Sequence, residues 1–527
     1  MNQAIQVRRL FNRLLPSENP TQRDLTYGRL WLMRNGVPSQ AMDTLAAGPF
    51  LAACALTLGA SNLIIGLLAA IPHLIQFAQL LGVYLVERYR TRRLICVLGG
   101  SAARLMYPIM IVAVLLPDET LALGLLVAAV ILRYSFGAIV TTAWSAWIPD
   151  LVPLGRRSQF IARRLRLMAI VGIGMSFLAA GLVDIMSARF EDGARYAYAL
   201  LFAGALVFGL YSLYCMVRMT EPKMGTAEPR FDIAKRLASP FKDENFRRLM
   251  LFLGSWNFAV NLASPFFMVY MLTRLQLELT LITVFMVLSQ AAHVMVLRSW
   301  GRIADRFSNK SVLAVSGPLF IACIFAWTFT TFPERHILTI PLLIVIHVLT
   351  GVATAGVTLA SSAIGMKLAP PGQAASYLSA SSIVNSTAAG IAPIVGGLCA
   401  DFFVNRQLSL IVHWTAPSGV KEIPALILGH WDFFFILAVV LGLYSLHRLA
   451  LVREVGEVSE HIVVSELLLD AKRAVVRSFS SVAGLRSVSE IPAEILGRAL
   501  GRHRRRRPRP NEEAAREATP QEGETGR

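Results

Sequence analysis

Charge is the scarcest commodity in this sequence. Only 16% of the 527 residues are charged while 55% are hydrophobic, and the mean hydropathy of +0.55 is too high for a soluble chain of this length. Cysteine is also sparse: Cys54, Cys96, Cys215, Cys323 and Cys399 lie singly inside apolar runs with no CxxC pair. A disulfide framework and a zinc ribbon are therefore excluded, and the five thiols read as small core residues. The amino terminus carries Arg8, Arg9, Arg13, Arg23, Arg29 and Arg34 but no isolated apolar stretch ending in a small-residue cleavage site, so no cleaved leader is expected. Paired catalytic carboxylates, metal-ligand spacings and nucleophile motifs are missing from the runs and loops, so neither an enzyme nor a bound metal or cofactor is expected.

What the chain has in abundance is long apolar runs. Asn62 to Val86, Leu121 to Val140, Leu249 to Leu272 and Leu338 to Leu359 are almost free of charge, and each can cross a hydrocarbon core of about 30 Å as a helix. Punctuation by Gly, Pro and charge predicts about twelve crossings, at 40–59, 63–86, 94–116, 121–147, 167–186, 198–217, 249–272, 279–299, 311–331, 338–366, 376–402 and 431–451. The short loops on one side hold about 22 Lys and Arg against about 6 on the other, which by the positive-inside rule makes both termini cytoplasmic. This asymmetry and the tails account for most of the +18 net charge, and no nucleic-acid partner is needed to explain it.

Four segment pairs recur in order. Pro49-Phe50 matches Pro265-Phe266, Glu87-Arg88 matches Asp305-Arg306, Asp150-Leu-Val-Pro153 matches Lys367-Leu-Ala-Pro370, and Ala180-Gly-Leu-Val-Asp184 matches Gly397-Leu-Cys-Ala-Asp401. The offsets are about 216, 218, 217 and 217 residues, the mark of a duplication. The predicted organisation is an all-α membrane protein: segment 1–39, a six-helix bundle at 40–219, a central loop at 220–248, a second six-helix bundle at 249–452 and a basic tail at 453–527. Two equivalent bundles suit a carrier, because a site between them can face either side in turn.

Gly301-Arg-Ile-Ala-Asp305-Arg306-Phe-Ser-Asn-Lys310 resembles the G-x-L-A-D-R-x-G-R-K loop of the major facilitator superfamily. The first-half copy, Val83-Tyr-Leu-Val-Glu87-Arg88-Tyr-Arg-Thr-Arg92-Arg93, departs from it, with Val83 and Glu87 in place of the family's Gly and Asp. The resemblance implies a conformational latch built from Glu87, Arg88 and Arg92 in one half and Gly301, Asp305, Arg306 and Lys310 in the other. Arg133-Tyr-Ser-Phe-Gly137 is similar to the family's R-x-x-Q-G pattern, with Phe136 for Gln, and implies a charge tied to proton coupling or substrate. Gly390-Ile-Ala-Pro393-Ile-Val-Gly396-Gly397 looks like the antiporter glycine-proline motif, but it sits in the eleventh run rather than the fifth, where close helix packing is the stronger explanation.

An arginine at the bilayer centre costs about 2.5 to 3.5 kcal/mol, so Arg104 and Arg133 should face protein or a watery cavity. Neither has a carboxylate at its depth on these boundaries; Asp43 and Asp150 fall near one surface, Asp184 and Asp401 near the other. Arg133 is expected to attract an anionic or zwitterionic solute, and Arg104 to serve as a hydrogen-bonding support. Helical spacing groups Arg133, Gly137 and Thr141 on one face, Asn257, Asn261 and Pro265 on another, and His347, Gly351, Thr354 and Thr358 on a third. By the resemblance, the helices carrying these faces line a central cavity. His73, Gln76 and His293 read as polar core residues, although protons are the candidate coupling ion and the histidines the titratable groups.

The segment 456–482 has the composition of an interfacial helix. Arg502 to Arg509 form a basic cluster that suits anionic lipid. The expected function is secondary transport of a small solute by a monomer in a bacterial inner membrane. A transport-inactive sensor or scaffold is the alternative.

Overall fold

The computed structural model describes residues 16–18, 20–153, 157–224, 233–331, 335–370, 373–416 and 419–469. In chain order the helices are α1 (Gln22–Ala46), α2 (Gly48–Thr57), α3 (Asn62–Leu74), α4 (Gln79–Tyr89), α5 (Arg92–Arg104), α6 (Met106–Leu115), α7 (Glu119–Leu151), α8 (Arg157–Arg189), α9 (Gly193–Arg218), α10 (Ile233–Lys242), α11 (Glu244–Thr273), α12 (Leu279–Arg306), α13 (Asn309–Ala326), α14 (Thr339–Leu368), α15 (Ala374–Phe403) and α16 (His430–Ala450), with a hairpin β1 (Leu408–Ala416) and β2 (Gly419–Leu428) between the last two. Among the described residues, eleven helices, some made of two consecutive segments, are long and apolar enough to cross a membrane. The remaining crossing is α1–α2, whose first turns carry Arg23, Asp24 and Arg29 and so lower its hydropathy.

The starts of these helices follow local chemistry. Side chains of Thr21, Ser61, Asp118, Asp243 and Ser308 each accept a hydrogen bond from a first-turn amide, satisfying donors that no helix can pair internally. The expected run 40–59 is interrupted at Gly48, which has φ +54° and Pro49 after it. A left-handed residue followed by proline ends α1 and restarts the chain as α2. Because α1 begins at Gln22, residues that the sequence places at a surface lie a helix-length inside.

The helices pack as two six-helix bundles, α1–α9 and α11–α16. Within the first, α9 lies against α1 and α5 against α7; within the second, α12 and α13 flank α14 and α15 packs on α11. The bundles meet along two seams, α3 with α15 and α8 with α12. Large apolar residues such as Leu178, Val207 and Met295 are 68%, 66% and 76% exposed, which only a hydrocarbon solvent makes favourable. The apolar loop 403–429 contains the hairpin, paired from Leu408↔Leu428 to Ala416↔Gly419 with a register shift beside Pro424, where the missing amide breaks the ladder.

A second compact unit begins at Ser465, and its described residues, 465–469, are helical. The expected interfacial helix is thus described only as far as residue 469, and the Arg502 to Arg509 cluster lies outside the described residues. All five cysteines are free, four of them buried.

Candidate functional site

A cavity of about 490 Å³ opens in the first bundle between α1, the α3–α4 crossing, α5, α7 and α8, with Asp43, Gln76, Tyr107, Arg133, Thr141 and Arg164 among its walls. Its α1 residues run from 35 to 43, the middle of the Gln22–Thr57 crossing, and its α8 residues from 164 to 168, in the first half of α8. The cavity therefore extends from mid-span toward the side on which α1 and α8 begin.

Arg133 stands at its inner end. Its Nε donates to the Tyr107 hydroxyl at 3.0 Å, its Nη2 donates to Asp43 Oδ1 at 3.0 Å, and its guanidinium carbon lies 5.1 Å from the Tyr134 ring centre. The side chain is 8% exposed, that of Asp43 58%. The expectation that Arg133 has no carboxylate at its depth is corrected here: the first crossing runs over α1 and α2 from Gln22 to Thr57, and Asp43 lies near its middle. The pairing leaves Arg133 Nη1 buried without a hydrogen-bond partner, and an unused buried donor is costly unless something arrives to accept it.

Arg104 is held differently. Its Nε, Nη1 and Nη2 donate to Gly209 O, Gly100 O and Ser212 Oγ at 2.9, 2.8 and 3.4 Å, tying α5 to α9 behind the cavity wall. Thr141 lines the cavity and donates to Gly137 O. Asn257, Asn261 and Thr354 lie outside this pocket and bond back to their own helices, at Leu253 O, Asn257 O and Thr350 O. His347 is buried, with Nδ1 2.8 Å from Leu343 O and its ring stacked on Phe285. The structure thus brings together Arg133 and Thr141 from the expected set, and adds Asp43 and Tyr107.

The latch residues divide in the same way. Glu87, Arg88, Asp305 and Arg306 are exposed, and Gly301 is partly buried. Arg92 is buried at the start of α5. There it donates to Asp150 Oδ2 at 2.5 Å and to Pro222 O at 2.7 Å. Glu221 accepts from the backbone amides of Arg92 and Arg93 at 2.6 and 3.1 Å. Burial pushes the Glu221 carboxyl above its ordinary range, and those amides with the Arg92 guanidinium pull it back. The second bundle repeats the device at the start of α13. Glu454 accepts from the Lys310 amide at 2.7 Å, Asn309 Nδ2 at 3.1 Å and Lys367 Nζ at 2.8 Å, while Lys310 Nζ reaches Glu457 at 2.9 Å. Sequence reasoning passed over Glu221 and Glu454, which lie just past the last helix of each bundle, although the repeat had already paired Asp150 with Lys367.

On the opposite side, the bundles are bolted by two aspartates. Asp401 at the end of α15 accepts from the amides of Asn62 and Leu63 at 3.0 and 2.9 Å. Asp184 near the end of α8 accepts from those of Leu279 and Thr280 at 3.0 and 2.8 Å. Each carboxylate caps the first turn of a helix in the other bundle, where unpaired amides and the helix dipole favour negative charge. The α3–α15 seam is sealed further by glycine: a Cβ on Gly66 would lie 2.1 Å from Pro393 O, and one on Gly397 2.5 Å from Asn62 O. Pro393 and Gly397 belong to the glycine-proline motif, whose role here is helix contact. Among the described residues, no group of three or more His, Cys, Asp and Glu side chains is placed to hold a metal ion.

This architecture agrees with known proteins. The family model described as Major Facilitator Superfamily matches residues 39–393 and 300–482. The nucleoside transporter NupG superposes with a TM-score of 0.57 at 13% identity, covering 80% of this chain and 98% of that one. A bacterial homologue of the iron transporter ferroportin, in an inward-facing state, gives 0.54 at 14%, covering 82% and 99%. A bacterial homologue of the human lysosomal transporter Spinster, inward-facing and unoccupied, gives 0.51 at 15%, covering 73% and 84%. A comparison with curated proteins gave no match. Two six-helix bundles, a cavity with an ion pair at mid-span and a family match over most of the chain lead to one conclusion: the chain belongs to the Major Facilitator Superfamily, and it is a secondary transporter rather than an enzyme.

Proposed function

We propose that the transported solute is a small zwitterion, held at the Arg133–Asp43 pair and moved by alternating access. The observation that carries this is the half-used pair: Arg133 Nη1 is buried without an acceptor, while Asp43 is more than half exposed toward the same cavity. A bare arginine would favour an anion. An arginine already facing a carboxylate is close to neutral as a unit, and a solute carrying one acceptor group and one cationic group complements both ends without burying net charge. Asp43 is also where a coupling proton would act, since a neutral carboxyl releases Arg133. On this reading the latch residues and the Glu221 and Glu454 clusters hold the termini side in the other state, and the aspartate bolts hold the state seen here. The termini lie in the cytoplasm of a bacterium, the protein works as a monomer in the inner membrane, and its partners are the solute, protons and lipid.

A thermal-shift screen of purified protein against anions, sugars, amino acids and drugs tests the reading. Zwitterions should stabilise the protein, and Arg133→Gln should abolish the response. Transport and binding left unchanged by Arg133→Gln would remove Arg133 from the site.

A further inference from the structure

The two seams between the bundles are related by the repeat, yet only one of them is sealed. At an offset of about 217 residues, Gly66, Gly390 and Gly397 of the α3–α15 seam correspond to Thr283, Ile173 and Ala180 of the α8–α12 seam, and Pro393 corresponds to Ser176. Gly390 and Gly397 leave no room for a Cβ, which would meet Leu74 at 2.4 Å and Asn62 O at 2.5 Å, whereas the second seam carries Ile173, Ala180 and Thr283 at the matching places. The larger side chains prop the second seam apart. The result is a cavity of about 520 Å³ whose walls include Phe50, Ile173, Ser176, Ile282, Thr283 and Met286.

Two features bear on what this cavity can hold. Ile173 and Met286 in its walls are 38% and 42% exposed, so apolar surface stands uncovered at this seam between the bundles. Asp43 lines both this cavity and the first-bundle cavity that holds Arg133, beside the break at Ala47 and Gly48 where α1 leaves its last carbonyls without helical partners. Irregular backbone at membrane depth is tolerated where it lines a cavity of this kind.

We infer that the α8–α12 seam is a lateral groove for a single alkyl chain, through which an amphiphile with a zwitterionic head reaches the Arg133–Asp43 pair from the bilayer. This rests on the zwitterion reading above and adds the apolar half of the solute. A chain lying between Ile173 and Met286 exchanges hydrocarbon for apolar side chains at little cost, while the head gains Arg133 Nη1 and Asp43.

The test uses the full chain in phosphatidylcholine nanodiscs with lysophosphatidylcholine carrying a diazirine at the end of its chain, and mass spectrometry to locate adducts after photolysis. Adducts should fall on groove residues such as Ile173, Ile282 and Met286, and should drop roughly tenfold in Arg133→Gln, the effect of losing one charge-assisted hydrogen bond. Ile173→Trp, which fills the groove, should abolish them. So should Ile173→Gly with Thr283→Gly, which copies the glycines of the sealed seam and keeps the inference testable if the tryptophan variant fails to fold. Adducts confined to outward residues such as Ile170 and Val207 would overturn the groove. Groove adducts indifferent to Arg133→Gln would overturn it equally, showing a resident bilayer chain with no head engaged. Thermal shift with chain-free glycerophosphocholine scores the central reading separately: a response that persists in Ile173→Trp while wild-type groove labelling is absent leaves the central site standing and removes the lateral one.

Discussion

Arg133 Nη2 sits 3.0 Å from Asp43 Oδ1, and this pair joins α7 to α1 at the inner end of the first-bundle cavity. Its partners are unequal: the arginine is buried and the aspartate reaches the cavity. That inequality sets what each substitution does. Removing Asp43 leaves a buried cation with only Tyr107 as a hydrogen-bonding partner, which costs about 3 to 5 kcal/mol when an ion pair is fully buried and less here because Asp43 is exposed. Asp43→Asn is therefore expected to lower the melting temperature of the purified protein, and Asp43→Asn with Arg133→Gln to recover part of the loss. A double variant less stable than either single one would show that the pair is not the coupling element.

The same pair makes a statement about driving force. If Asp43 carries the coupling proton, uptake into proteoliposomes driven by a pH gradient should vanish in Asp43→Asn while counterflow of the solute, which needs no net proton movement, persists. Counterflow lost together with driven uptake would make Asp43 a solute contact alone.

How much of this was legible beforehand depends on which residues the pattern could reach. Hydropathy and the repeat sufficed for the bundles, because lipid imposes a length on every crossing and a duplication fixes an offset. The repeat also selected Asp184 and Asp401, which prove to be the caps that join the bundles. Asp43 is misplaced for a local reason: Arg23, Asp24, Arg29 and Arg34 make the first half of α1 too polar to read as membrane, so the crossing read from sequence starts about five turns late and its mid-depth residue falls at the surface. Asn257 and Asn261 share a helical face as read, but each satisfies its amide on its own helix, a choice that periodicity does not reveal. Glu221 and Glu454 follow the last helix of each bundle, and the hairpin inserted before α16 shifts the second away from the common offset.

The aspartate bolts predict a population shift. Each carboxylate accepts two backbone amides across the bundle interface, and a hydrogen bond to a charged group contributes about 1.5 to 3 kcal/mol. Asp401→Asn or Asp184→Asn should therefore weaken this conformation by about 2 kcal/mol, more than a tenfold change in its ratio to the opposite one. Distances between spin labels placed on the two bundles, at the ends of α3 and α15 away from the termini, should lengthen in both variants. Distances that match wild type would mean that packing alone holds that side shut.

Glycine in the sealed seam gives a sharper outcome, because the obstruction is backbone. A Cβ at Gly66 would stand 2.1 Å from Pro393 O, and one at Gly397 2.5 Å from Asn62 O; neither oxygen can swing aside as a side chain would. The two helices must separate to admit a methyl group, yet each bundle keeps its own core, so the protein is expected to fold. Gly66→Ala and Gly397→Ala should then populate the conformation open on the side away from the termini even with both aspartates intact. A cysteine placed at Ile394, whose Cα a Cβ on Gly66 would meet at 3.4 Å across the seam, should change from protected to reactive toward a membrane-impermeant maleimide. Substituting Gly181 of α8, where a Cβ meets nothing within 4 Å, should leave that reactivity at the wild-type level. Equal effects at Gly66 and Gly181 would mean that the added methyl acts without obstructing the seam, and the backbone contact at Gly66 would carry no mechanical weight.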